Sequence, residues 1–250
     1  MIKDRGYLNL RKHDAIGLLK SAISAGRLVA RDDGKFHVNL KFSHLLPWVF
    51  IKHCTGMSCY IWHHIYFDHC GFIPKPCFSC WKIVVRPANI KSAYKVLDIM
   101  RELDYPGKVG WEDRKTVFGN FGAYFYNRSL DEAKEKYPTI CDAMKDVELQ
   151  TDPCNQKKIP IIIKRGCTEF EHKFGPSDKW EYTAEDKENL LNSVIVDDLV
   201  IHTQTDWHIA NTMTLWTHNA YSAGDPTVCE FTDGKPLFPK YITYQGEQNG

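Results

Sequence analysis

No stretch of this 250-residue chain repeats at a fixed period, and none is low in complexity. A basic-then-apolar leader is also missing, since the opening Met1-Ile-Lys-Asp-Arg-Gly-Tyr7 is polar, so a cytoplasmic location is expected. The charge has almost no net sign: 32 Lys and Arg against 31 Asp and Glu leave +1, which by itself points to no polyanionic partner. Long apolar runs are equally scarce. The nearest approach, Phe42 to Phe67, holds one basic residue (Lys52) and no acid, but Pro47, Gly56, two serines and four histidines interrupt it. A membrane-spanning helix needs about 20 mostly apolar residues. The segment therefore reads as protein interior, and no membrane partner is expected.

What remains has globular composition, with 43% hydrophobic, 13% aromatic and 25% charged residues. A chain of this length buries a substantial core, and one compact unit with appended segments is expected. The balanced charge conceals an uneven distribution. Residues 1 to 120 carry 19 basic and 10 acidic side chains, and residues 121 to 250 carry 13 and 21. Such asymmetry is expected either of a basic first half that meets nucleic acid or an anionic ligand, or of two halves that attract each other.

Hydrophobic periodicity divides the chain. Residues 1 to 40 read as a short helix near 13 to 25, ended by Gly26, and a hairpin over Leu28 to Leu40 around Asp33-Gly34. Residues 41 to 81 form a Cys- and His-rich segment. The clearest pattern follows, with six elements spelling strand, helix, strand, strand, helix, strand from Lys82 to Lys164. The strands are Lys82 to Arg86, Lys108 to Trp111, Phe118 to Tyr126 and Lys158 to Ile163. The helices run from Asn89 to Leu103 and onward from the capping box Ser129-Leu-Asp-Glu132, with Pro138 expected to kink or divide the second. That order predicts an α+β fold with a ferredoxin-like βαββαβ core over about 82 to 164, within a unit spanning 82 to 170. Pro160 fits an edge strand, where a missing N–H removes no central ladder bond. Residues 171 to 250 read as a helical extension packed on the core, with a helix from Thr203 to Ala223 capped through Thr203-x-x-Asp206.

Nine cysteines, an odd number without an export signal, argue against a disulfide framework. Five cluster as Cys54-x4-Cys59-x10-Cys70-x6-Cys77-x2-Cys80. Thiolates suit zinc and iron–sulfur centres, and clustering lowers the entropy lost on assembling the ligands. A zinc ribbon normally shows two C-x2-C pairs, and this chain has one, so the spacing leans towards a 4Fe-4S cluster with zinc as the alternative. In a ferredoxin-like sheet the first and fourth strands are antiparallel neighbours. Lys164-Arg-Gly-Cys167 should therefore lie beside Cys80-Trp81. The expected ligands are Cys70, Cys77, Cys80 and Cys167, with Cys59 and then Cys54 as substitutes. A thioredoxin-like role for Cys77-Phe-Ser-Cys80 fits poorly, because the pair precedes a strand and opens no helix.

Just past Cys167, Glu169 and Glu171 are the candidate catalytic residues. On an extended chain they would share a face. A solvated charged loop would look the same, and the nuclease-like Glu171-x-Lys173 lacks an upstream acid. His53, His63, His64 and His69 are candidates for nitrogen ligands or a proton relay, but packing roles are commoner for such residues. In Phe118 to Tyr126, Tyr124 and Tyr126 share one face and Phe121, Ala123 and Phe125 the other. One set should be core, which makes Tyr124 and Tyr126 the candidates for holding a cofactor or stacking a base. The resulting expectation is an iron–sulfur enzyme or electron-transfer protein, an oxidoreductase if catalytic, acting on a small or nucleotide-like anionic substrate. The alternative is a zinc-stabilised module that binds nucleic acid through the basic N-terminal half.

Overall fold

The computed structural model describes residues 15–38, 47–52, 58–195, 204–238 and 240. In chain order the elements are α1 (Ala15–Ser24), β1 (Leu28–Ala30), β2 (Phe36–Val38), β3 (Trp48–Lys52) and α2 (Ser58–Tyr60), which runs on as a π-helix over Ile61–Phe67. There follow β4 (Trp81–Val85), α3 (Ile90–Leu103), β5 (Gly107–Trp111), β6 (Phe121–Asn127), α4 (Leu130–Ala143) and β7 (Ile162–Arg165). The chain then forms α5 (Thr168–Phe174), α6 (Glu185–Val194) and α7 (Asp206–Ser222). The protein is thus α+β, with seven helices and two antiparallel sheets among the described residues.

Local chemistry accounts for the boundaries. Asn89 accepts from the Ser92 amide to start α3, and Asp104, in the left-handed region, ends it. Ser129 accepts from the Glu132 amide to start α4. The buried stripe Ile90, Ala93, Val96, Leu97 and Met100 then lays α3 on the sheet. Strands β1 and β2 pair in register Leu28↔Val38 around Gly34, whose φ of 78° suits the turn. No described helix is long and apolar enough to cross a membrane.

The main sheet has the order β3-β5-β6-β4-β7, every pair antiparallel. One face bears Ile83, Val85, Val109, Phe121, Ala123 and Phe125, which form the largest core with α3, α4 and Trp216 and Ala220 of α7. The opposite face bears Trp48, Val84 and Tyr124, with Phe50 and Tyr126 against them. Two smaller cores flank the sheet. One joins α1, the β1–β2 hairpin, the π-helix and α6, and the other groups Phe67, Ile73, Cys77, Phe170 and Trp180.

Several boundaries differ from the sequence expectation. The last strand is Ile162–Arg165, and Pro160 lies before it, so the proline's missing N–H falls outside that pairing. Helix α4 continues through Pro138 without a break. The cap of α7 is Thr205, whose hydroxyl accepts from the His208 amide; Thr203 lies outside the described residues. Strand β3 was not anticipated. It widens the sheet beside β5, where Gly110 admits the Pro47 carbonyl and the Trp48 ring at a point a Cβ would fill.

Candidate functional site

The antiparallel register of β4 and β7 sets Trp81 opposite Arg165, and the Gly166 amide donates to the Cys80 carbonyl at 2.8 Å. Gly166 has φ of 61°, and a Cβ there would lie 2.8 Å from the Trp180 ring, so both conformation and space call for glycine. This turn delivers Cys167, the N-cap of α5, next to Cys80 across a separation of 87 residues. Cys77 sits within the 3-10 turn Lys75–Ser79, and Cys80 ends that turn, its amide donating to the Cys77 carbonyl. Arg165 fixes the turn from the far side by donating to the carbonyls of Phe78 (2.7 Å) and Ser177 (3.0 Å).

Burial pushes the Cys77 thiol well above its ordinary range, and the sulfurs of Cys167, Cys59 and Cys80 push the same way. Burial raises Cys80 to about 11, with Lys82 opposing and Cys167 and Cys59 adding to the rise. Cys77 and Cys80 thus each feel Cys59 and Cys167, and none of the four is in a disulfide. Cys70 is placed elsewhere. It packs in the core of Ile61, Ile65, Tyr66 and Phe72, burial alone raises it to about 12 with Lys187 opposing, and no other cysteine acts on it. Cys59, exposed on α2, is the cysteine of this segment whose charge reaches Cys77 and Cys80. Cys54 and His53 lie outside the described residues.

Lys82 is the nearest cation. Its side chain, on a central strand and only 7% exposed, donates to Cys167 Sγ at 3.1 Å. Burial opposes the ammonium, and the sulfurs of Cys167 and Cys80 more than offset it, so its pKa lies above the ordinary lysine value. The same register places Lys164 directly across from Lys82 and pairs it with Glu171.

Glu169 and Glu171 diverge. They stand on a helix, where residues two apart do not share a face, and the extended chain expected here is absent. Glu169 Oε1 accepts from Arg114 Nη1 at 2.9 Å, while its buried Oε2 lies 3.9 Å from His63 Nε2 without a hydrogen bond. His63, on the π-helix, stands between Glu169 and Asp68. Burial opposes its positive charge, but the two carboxylates raise its pKa to about 10, and both of them are held below the usual carboxylate range. The π-helical step, seen in the Asp68 amide donating to the His63 carbonyl, aligns His63 with Asp68 five residues on. His63, Cys167 and Glu169 offer one ligand atom each, all within 4.8 Å of one another.

No protein-family model, curated protein or solved structure matches the chain. The site's meaning therefore rests on its own chemistry. Glu112, 5% exposed, takes two bonds of 2.6 Å from Arg114 and one of 2.7 Å from the Tyr124 hydroxyl, with Arg86 at 3.7 Å. Gly122 leaves room for Arg86 and the Tyr124 ring, since a Cβ there would lie 2.8 Å from Arg86 Nη1. Lys108, on β5, has no carboxylate partner among the described residues. Its ammonium lies 4.0 Å from the centre of the Trp48 ring and 5.8 Å from those of Phe50 and Tyr124. Burial, with Arg114 and Lys82 acting in the same sense and Cys167 and Glu112 opposing, lowers its pKa to about 8.

Of the two tyrosines, Tyr124 is 5% exposed and engaged with Glu112, Arg86 and Arg114, while Tyr126 is half-buried beside Lys82. Lys82, Arg86, Lys108, Arg114 and Glu112 were not singled out from sequence. The signal was present: charged residues at alternate positions on apolar central strands, as in Trp81-Lys82-Ile83 and Gly107-Lys108-Val109, mark a sheet face that is not plain core.

Proposed function

We propose that this chain is an iron–sulfur protein of the oxidoreductase type, with a cluster held by Cys59, Cys77, Cys80 and Cys167 at one end of a ferredoxin-like sheet. The observation that carries the reading is the approach of Cys77, Cys80 and Cys167, brought together by the β4–β7 register beside the buried Lys82, with Cys59 of the preceding helix acting on Cys77 and Cys80. The strand order β5-β6-β4-β7 is the order a βαββαβ ferredoxin-like unit requires. A 4Fe-4S cluster takes four cysteine thiolates and supplies electron transfer when bound. The Lys82 ammonium would offset the negative charge of thiolate ligands, and hydrogen bonds to cluster sulfur tune its potential. No three cysteines among the described residues bring their sulfurs within 4.8 Å of one another. A single zinc ion with bonds of about 2.3 Å would need its sulfurs about 3.8 Å apart, closer than any three of these cysteines come.

A small anionic substrate fits the sheet face beside the cluster. Glu169, held by Arg114 and close to His63, is the residue placed to exchange a proton with it; Glu171, paired with Lys164, has the weaker case. One observation favours zinc: His63, Cys167 and Glu169 form a compact mixed donor set of the kind a single ion accepts. Anaerobic purification with metal and sulfide analysis separates the readings. Iron, sulfide and a broad absorbance near 400 nm are expected, and colourless protein carrying zinc alone would refute the cluster.

A further inference from the structure

The face of the sheet that bears Trp48, Phe50, Tyr124 and Tyr126 carries more positive than negative charge. Five cationic side chains, Lys82, Arg86, Lys108, Arg114 and Lys164, meet three carboxylates, Glu112, Glu169 and Glu171. All three acids are bonded to cations on that face. Arg114 is saturated by Glu112, Glu169 and Tyr124, and Lys164 by Glu171. Among the described residues Lys108 is left without a carboxylate, and Lys82 donates to Cys167. Their positions are set by register: Lys108 pairs with Tyr124 across β5–β6, and Lys82 pairs with Tyr126 across β4–β6. Each ammonium therefore lies against a tyrosine of the middle strand, Lys108 at 5.8 Å from the centre of the Tyr124 ring and Lys82 at 5.7 Å from that of Tyr126, with Trp48 and Phe50 also beside Lys108.

Burying a cation without a counter-charge is costly, and proteins retain such groups where a ligand supplies the missing charge. A fold under stability pressure alone would place an apolar residue at Lys108, among three rings. The half-buried ring of Tyr126, on the same face, adds a flat apolar surface of the kind on which heterocyclic bases stack. We propose that this face binds the phosphate groups of a nucleotide, with Lys108 as the phosphate contact and Tyr126 as the surface for the base. The inference rests on the anionic-substrate reading and names its class. A free nucleotide fits better than a polynucleotide because Trp48 and Tyr124 are too deeply buried to serve as a continuous stacking platform.

The test is equilibrium binding of ATP, inorganic pyrophosphate, adenosine and a single-stranded oligonucleotide to the anaerobically purified full chain, followed by Trp fluorescence and calorimetry. Metal content is determined on the same sample, so loss of the cluster and loss of nucleotide binding are read separately. ATP should bind most tightly, pyrophosphate next and adenosine most weakly. Lys108→Met should weaken ATP and pyrophosphate by about tenfold to a hundredfold. Because Lys108 has no ion-pair partner to orphan among the described residues, this variant should fold, which thermal denaturation checks. Tyr126→Ala should weaken ATP while leaving pyrophosphate unchanged. Adenosine binding as well as ATP, undiminished ATP affinity in Lys108→Met, no binding of either phosphate compound, or preference for the oligonucleotide over ATP would each overturn the proposal.

Discussion

At the scale of single residues, two buried charges on the same sheet face have opposite standing. Glu112 accepts hydrogen bonds from Arg114 and Tyr124 and lies near Arg86, so neutralising it leaves cations unpaired in the interior. Glu112→Gln should destabilise the fold by about 3 kcal/mol, read from denaturant unfolding, the range typical of breaking a buried ion pair from one side. Lys108 is the reverse. Its folded pKa of about 8 lies below the unfolded lysine value, so the unfolded chain binds more protons between those two values and stability rises with pH across that window. Below pH 8 the full penalty is present. Lys108→Met should then be more stable than the wild type at pH 7 by up to about 3 kcal/mol. That gain should fade as pH climbs from 8 towards 10.5, and paired urea titrations across the window measure the difference. A constant difference over the window would mean that Lys108 carries no perturbed charge.

At the scale of elements, the turn between β7 and α5 is the most exacting piece of the site. Gly166→Ala forces a side chain into a left-handed backbone position and against the Trp180 ring, which should cost about 1–2 kcal/mol and displace Cys167 from Cys80. Reduced thermal stability together with reduced metal content is the expected result, and a stability loss with full metal content would detach the turn from the site. This juxtaposition was legible in advance, because strand order alone makes the end of β7 a neighbour of the start of β4. The alternation and caps of α3, α4, β5 and β6 were legible for the same local reasons. The exact position of β7 was not, since the apolar run Ile159 to Ile163 supports several registers equally. Nor was β3, whose Trp48-Val-Phe-Ile51 lacks alternation because both faces of that strand meet other residues. The placing of Cys70 in the core of Ile61, Ile65, Tyr66 and Phe72 was not legible either, because it follows a π-helical stretch, which has no signature in residue type. Lys82 and Lys108 escaped notice because a lysine on a buried strand reads as an edge or an exception until the sheet order is known.

At the scale of the whole molecule, the helices α3, α4 and α7 cover one face of the sheet and leave the other to aromatic and cationic side chains. The Cys-bearing segments gather at the end of that second face, through Lys82. On the proposed reading this arrangement would set a soft-donor site and an anion site side by side, as an electron-transferring enzyme with a charged substrate needs. The charge asymmetry of the sequence has its counterpart here, since Lys82, Arg86, Lys108 and Arg114 all come from the basic first half.

The most direct measurement is iron and acid-labile sulfide per chain in anaerobically purified protein, compared across single Cys→Ser variants. The account predicts iron and sulfide in the wild type, a marked loss in Cys59→Ser, Cys77→Ser, Cys80→Ser and Cys167→Ser, and an unchanged content in Cys70→Ser. Zinc without iron, or iron content indifferent to Cys167, would contradict it.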